Sequence, residues 1–200
     1  MGVVKRLCCR NKSLNDIRKM SHALIIGGTG MLAGVTEHLS QNFDTVSLIC
    51  RSENKINSKL KNVNPLILDY TYYKLLSKNI QSSVEKFENV DLVVSWIHSS
   101  APSAPFSIAE KLNSYNTSFR FFDILGSAYA DPSQNNNGRE IKLTENKNLA
   151  YRRIILGFKI EYNTSRWLTN EEISSGVIEA IKTDSKETLI GTVTPWALRP

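Results

Sequence analysis

The chain has 200 residues, 41% of them hydrophobic and 22% charged, with ten Gly, six Pro and a formal net charge of +6. That is enough to bury one continuous core, and no apolar run approaches the roughly 18 residues that a transmembrane helix needs. The excess charge gathers in the first twenty residues, where Lys5, Arg6, Arg10, Lys12, Arg18 and Lys19 face only Asp16. The remainder is close to balanced, which argues against both nucleic-acid binding and membrane association.

Residues 1–20 read as a basic, loosely ordered extension without the apolar stretch of a secretory signal, and Met20 is an alternative start. Cys8, Cys9 and Cys50 make an odd count. With no export signal, the expectation is reduced thiols in a cytoplasmic protein.

From Ser21 onward, short β-like runs alternate with amphipathic stretches, the pattern of a doubly wound parallel sheet in a single α/β domain, 21–200. HALIIG (22–27) reads as a buried strand, followed by a helix over 31–41. TVSLIC (45–50) and PLILD (65–69) are the second and third strands. Leu76, Ile80, Val84 and Phe87 mark a helix over 74–87, and VDLVVSWI (90–97) is the fourth strand. Ile108, Leu112 and Tyr115 mark the next helix, before the fifth strand, RFFDIL (120–125). The polar segment 131–149 should be a surface loop with at most a short helix. RIILGFKI (153–160) reads as an unbroken sixth strand. Thr169-Asn170-Glu171-Glu172 is a capping box opening a helix, and 188–193 closes the chain as a seventh strand.

Gly27-Gly28-Thr29-Gly30-Met31-Leu32-Ala33 carries the strongest functional signal, because it follows a strand and opens a helix. Glycines there take backbone angles closed to other residues and let the chain approach a pyrophosphate, which the helix N-terminus then attracts. Ala33 stands where the fingerprint has a third glycine for close helix–strand packing. The expectation is a Rossmann-type dinucleotide site. An NAD site places Asp or Glu at the end of the second strand to hold the ribose 2′-hydroxyl. Here Cys50-Arg51-Ser52 stands instead, with Glu53 already in the loop. Arg51 can pair with a 2′-phosphate and Ser52 can donate to it, so NADP(H) is favoured over NAD.

With IIGGTGML, Leu68-Asp69-Tyr70 and WLTNEEISSGVIEAI in place, residues 22–198 resemble the short-chain dehydrogenase/reductase superfamily. The resemblance implies a sheet ordered 3-2-1-4-5-6-7, an adenine contact at Asp69, and a homo-oligomer. It also exposes departures. The superfamily's Asn-Asn-Ala-Gly segment is replaced by Ser95-Trp96-Ile97-His98-Ser99-Ser100. Ser127 matches the fifth-strand serine, but the window where Tyr-x-x-x-Lys belongs holds Gly138-Arg139-Glu140-Ile141-Lys142. Tyr151 starts the sixth strand, on the edge away from the ligand, and is rejected as a substitute.

Around the nicotinamide the strand ends should bring Trp96, His98, Ser99 and Ser100, then Gly126, Ser127 and Tyr129, then Tyr162, Asn163, Thr164 and Ser165. His98, Ser127 and Tyr129 are the candidates for chemistry, with His98 a proton donor near neutral pH. The cofactor contacts are assigned to Gly27, Gly28, Thr29, Gly30, Met31, Leu32, Arg51, Ser52, Asp69, Tyr70, Ser95 and Trp96. His22 and His38 read as structural, and no metal-ligand spacing is present. The resulting expectation is an atypical NADP(H)-dependent reductase of a small carbonyl, imine or flavin-like substrate. The alternatives are a non-catalytic NADP(H)-binding sensor or interaction protein, and a binder of another nucleotide.

Overall fold

The computed structural model describes residues 20–133, 138–162 and 164–200. The extension 1–19, with Cys8 and Cys9, lies outside these residues, as do Asn163 and the asparagine-rich stretch 134–137.

Seven parallel strands form the central sheet in the order β3-β2-β1-β4-β5-β6-β9. They are β1 (His22–Ile26), β2 (Thr45–Cys50), β3 (Val63–Ile67), β4 (Leu92–Trp96), β5 (Phe119–Gly126), β6 (Leu149–Leu156) and β9 (Glu187–Ile190). The order is the one the resemblance implies. β1, β2 and most of β4 are buried along their length, as parallel strands covered on both faces must be. Pro65 sits in β3, at the sheet edge, where a missing N–H costs no ladder bond.

Helices cover both faces. On one, α2 (Tyr73–Phe87), α3 (Ala104–Asn113) and the short α4 (Gly138–Thr144) pack over Leu24, Val93, Phe119 and Phe121. On the other, α1 (Ala33–Asn42) and α5 (Asn170–Thr183) pack over Ile25, Val94, Phe122 and Ile154. The capping box opens α5: Thr169 Oγ1 accepts from Glu172 N, and Glu172 Oε2 accepts from Thr169 N. Segment 131–149 contains α4 and the first residue of β6.

The expected sixth strand is two elements. β6 stops at Leu156, and Phe158–Glu161 (β7) turns away to pair antiparallel with Thr164–Trp167 (β8). Gly157 makes the break, for its N–H donates to Ile190 O, and a Cβ there would overlap the Thr192 carbonyl. A glycine inside an apolar run marks such a close backbone approach. Tyr162 and Thr164 consequently sit at the β7–β8 turn, with Tyr162 fully exposed. The ligand-facing end of the sixth strand is Leu156–Gly157.

His22 is structural, as expected. Its ring is fully buried, with Nδ1 on Glu88 O at 3.0 Å and Nε2 on Ser47 Oγ at 2.8 Å. Burial holds its pKa below the ordinary histidine value, against smaller opposing pulls from Glu88 O and Asp91. The unfolded chain therefore takes up a proton near pH 6.5 while the folded one does not, so stability falls as pH drops below that value. For one histidine the slope reaches at most about 1.4 kcal/mol per pH unit. Urea midpoints measured between pH 7 and pH 5.5 should decline, and should decline less steeply in His22→Gln.

Candidate functional site

The sheet reverses its winding between β1 and β4, and the crevice beyond their carboxyl ends is where ligands of such sheets bind. The glycine loop fills the mouth of this crevice. Gly27 carries the left-handed backbone, φ +79°, and a Cβ there would come within 2.9 Å of Trp96 O. Gly28 does not share that φ; it is small because a side chain would strike Thr36 and Leu48. Thr36 Oγ1 donates to Gly28 O at 2.8 Å and ties the loop to α1. Beyond its chain neighbours, no atom lies within 4 Å of a Cβ built on Gly30, so the loop is open on that side. Ala33 does not do the packing expected of it: it is exposed, and Gly34 makes the close contact, against Ser174 of α5.

Two cavities share the side chains of Met31 and Trp96 beside this loop. The first, about 280 Å³, is lined by Gly27, Thr29 and Gly30, by Arg51 and Lys55 after β2, and by Leu68, Tyr70 and His98. The second, about 370 Å³, is lined by Ser127, Leu156, Trp167 and Arg199 among others. The two cavities therefore adjoin at Met31 and Trp96, beside the glycine loop.

Most of the expected cofactor residues assemble here, and several do not. Arg51 is exposed in the first cavity and forms no ion pair among the described residues. Lys55, from the turn Glu53–Lys55, is a second cation in that lining which the sequence reading missed. Cys50 also lines it, and burial pushes its thiol above the usual cysteine range. Leu32 is fully buried. Asp69 is not among the lining residues and accepts from Thr71 N and Thr71 Oγ1. Those bonds, with a weaker pull from Arg51, hold its carboxyl below the usual range. Ser52 lies beside the cavity rather than in its lining. Ser95 is fully buried under the sheet, and its Oγ has no partner.

The three candidates for chemistry are separated. His98 stands in the first cavity, its ring edge-on to Trp96 at 5.4 Å, while its backbone N–H donates to Tyr70 Oη at 3.5 Å. Ser127 is buried in the wall of the second. Tyr129 belongs to neither lining; its ring lies under the Arg139 guanidinium at 5.9 Å. Tyr151 is confirmed as remote. Its hydroxyl donates to Asp123 Oδ2 at 3.1 Å beneath the sheet, and burial drives its pKa far upward.

The chain matches no protein-family model and no curated protein sequence. Solved structures do match. A short-chain dehydrogenase from Burkholderia cenocepacia, in complex with NADP, superposes with a TM-score of 0.65 at 13% identity, over 88% of this chain and 90% of that one. A short-chain dehydrogenase/reductase from Serratia marcescens gives 0.60 at 13% identity, over 84% and 94%. The fold is that of the short-chain dehydrogenase/reductases. An apo enzyme from Clostridium thermocellum, at 15% identity, has the same architecture with a TM-score of 0.62. Within that fold the Gly27–Ala33 loop joins β1 to α1, and the window 138–142, where the resemblance expects Tyr-x-x-x-Lys, holds no tyrosine. Among its described residues, no helix is long and apolar enough to cross a membrane, and no cluster of His, Cys, Asp and Glu is arranged to hold a metal.

Proposed function

We propose that the chain binds NADP(H) along this crevice and acts as an NADP(H)-dependent reductase of a small molecule. The observation that carries the proposal is the pair of cavities meeting at Met31 and Trp96 beside an open glycine loop. The residues present fit a dinucleotide: the adenosine half beside Tyr70 with its 2′-phosphate toward Arg51 and Lys55, the pyrophosphate over Gly30, and the nicotinamide half toward Ser127. The B. cenocepacia neighbour of the same fold is an NADP complex, which supports the choice of cofactor by analogy of fold.

When bound, the nicotinamide supplies hydride chemistry, so the protein's share is placement and polarisation. Trp96 and Met31 wall the junction, and Ser127 has a hydroxyl proton free to meet a substrate oxygen. His98 assists from the cofactor side, where it contacts the dinucleotide rather than the reacting centre. The separation of His98, Ser127 and Tyr129 favours one alternative, a protein that binds NADP(H) without turning it over.

Calorimetric titration with NADPH, NADP, NADH and NAD should show micromolar NADPH binding and weak NADH binding. Failure of all four to bind would sink the cofactor assignment. Tight NADPH binding, with no oxidation of NADPH across a panel of carbonyls and imines, would favour the non-catalytic reading.

A further inference from the structure

Arg199 enters the second cavity from the far end of the chain, and nothing in the dinucleotide reading uses it. The turn Trp196–Leu198 brings it there. Its guanidinium carbon lies 5.2 Å from the Trp167 ring centroid and 5.3 Å from that of Trp196, and its Nε donates to Ser127 Oγ at 2.8 Å. Two indoles within cation–π range and a buried hydroxyl on Nε thus hold this planar cation, which is otherwise exposed. Its terminal nitrogens Nη1 and Nη2 have no carboxylate partner among the described residues, although Arg120, Arg139, Arg152, Arg153 and Arg166 all have one. No other residue lining this cavity carries a charge, and the wall is mostly apolar: Leu156, Leu168, Ile173, Trp96.

We infer that Arg199 is a specificity-determining residue that binds the carboxylate of a small anionic substrate beside Ser127. The inference rests on the cofactor reading only for the word substrate; the anion site stands on the cavity itself. A guanidinium fork matches the two oxygens of a carboxylate. One cation in an apolar setting suits a monoanion better than a phosphate dianion, which has no second positive group to meet here. Because Arg199 donates to Ser127 Oγ, the serine proton is directed elsewhere, toward an oxygen carried next to the carboxylate. The substrate class is therefore a small 2-oxo acid or its imine.

The test is calorimetry of the full chain, with and without saturating NADPH, using oxamate, its neutral counterpart oxamide, and inorganic phosphate. Oxamate should bind, and oxamide and phosphate should bind at least about tenfold more weakly. Arg199→Gln should weaken oxamate by roughly 10–100-fold, Arg199→Lys by less, and Trp167→Ala by about two- to fivefold. In Arg199→Gln the loss of oxamate affinity should exceed any change in NADPH affinity. Equal binding of oxamate and oxamide, or no effect of Arg199→Gln, overturns the inference. Tighter binding of phosphate overturns the carboxylate assignment. A loss of NADPH affinity in Arg199→Gln at least as large as that of oxamate assigns the guanidinium to the cofactor and likewise overturns it. Arg199-dependent oxamate binding in a protein that ignores NADPH supports the anion site while the reductase reading fails.

Discussion

Replacing Arg139 with methionine should cost about 3–5 kcal/mol of folding stability, the usual penalty for leaving a buried charge without its partner. Asp123 sits mid-strand in β5 with no exposure, and its carboxylate accepts from Arg139 Nε at 2.6 Å and Nη2 at 2.8 Å. The remaining donor is the Tyr151 hydroxyl. Burial already pushes the Asp123 carboxyl upward against the pull of Arg139, so removing the guanidinium drives it further and favours the protonated acid. A carboxyl whose pKa is raised on folding binds more protons folded than unfolded, and stability then falls as pH rises. Arg139→Met should accordingly be closer to wild type at pH 5 than at pH 8. Asp123→Asn combined with Arg139→Met should recover most of the loss, since neither charge is then stranded. Urea denaturation at the two pH values reads all of this. A loss below about 1 kcal/mol for Arg139→Met at pH 8 would show that the pair is not the structural anchor inferred here.

That ion pair also shows where the sequence stops being readable. The strands were legible because a parallel sheet covered on both faces demands continuous apolar runs, and HALII, TVSLIC and LVVSW supply them. The glycine loop was legible because its constraint is local. Asp123 and Arg139 are sixteen residues apart, and nothing in RFFDIL says that its aspartate meets a guanidinium from a polar segment that reads as loop. The sixth strand differs for a related reason: RIILGFKI is mostly apolar and β-like on both sides of Gly157, and that glycine marks where the chain must leave the sheet. The glycine signal was present and was outweighed by the apolar run.

The site divides the same way. Residues within a few positions of a strand end, such as Arg51, Tyr70 and Trp96, fall in the crevice because the sheet carries them there. Lys55 and Arg199 arrive by turns whose direction no periodicity encodes. His98 leaves β4 toward the expected crevice, yet its ring settles in the first cavity. Strand order predicts which end of the sheet a residue reaches, but not which of two adjoining chambers its side chain enters.

Arg51→Ala should separate the two dinucleotides: NADPH affinity falls by roughly 10–100-fold, the worth of a charge-assisted contact to phosphate, while NADH changes by less than about threefold. The argument rests on what surrounds Arg51. Asp69, the carboxylate whose charge acts on it, accepts instead from Thr71. Glu53 opens the following turn and lies outside the cavity lining. The guanidinium is therefore available, and Lys55 faces the same space, so a 2′-phosphate dianion meets two cations where a bare ribose meets no carboxylate to hold it. Both side chains are exposed, so the contact is screened by salt, and raising ionic strength should weaken NADPH more than NADH. Adding Lys55→Ala to Arg51→Ala should bring NADPH down to the affinity of NADH. If Arg51→Ala weakens both dinucleotides equally, the residue serves their common pyrophosphate, and the proposed preference for NADP(H) loses its basis.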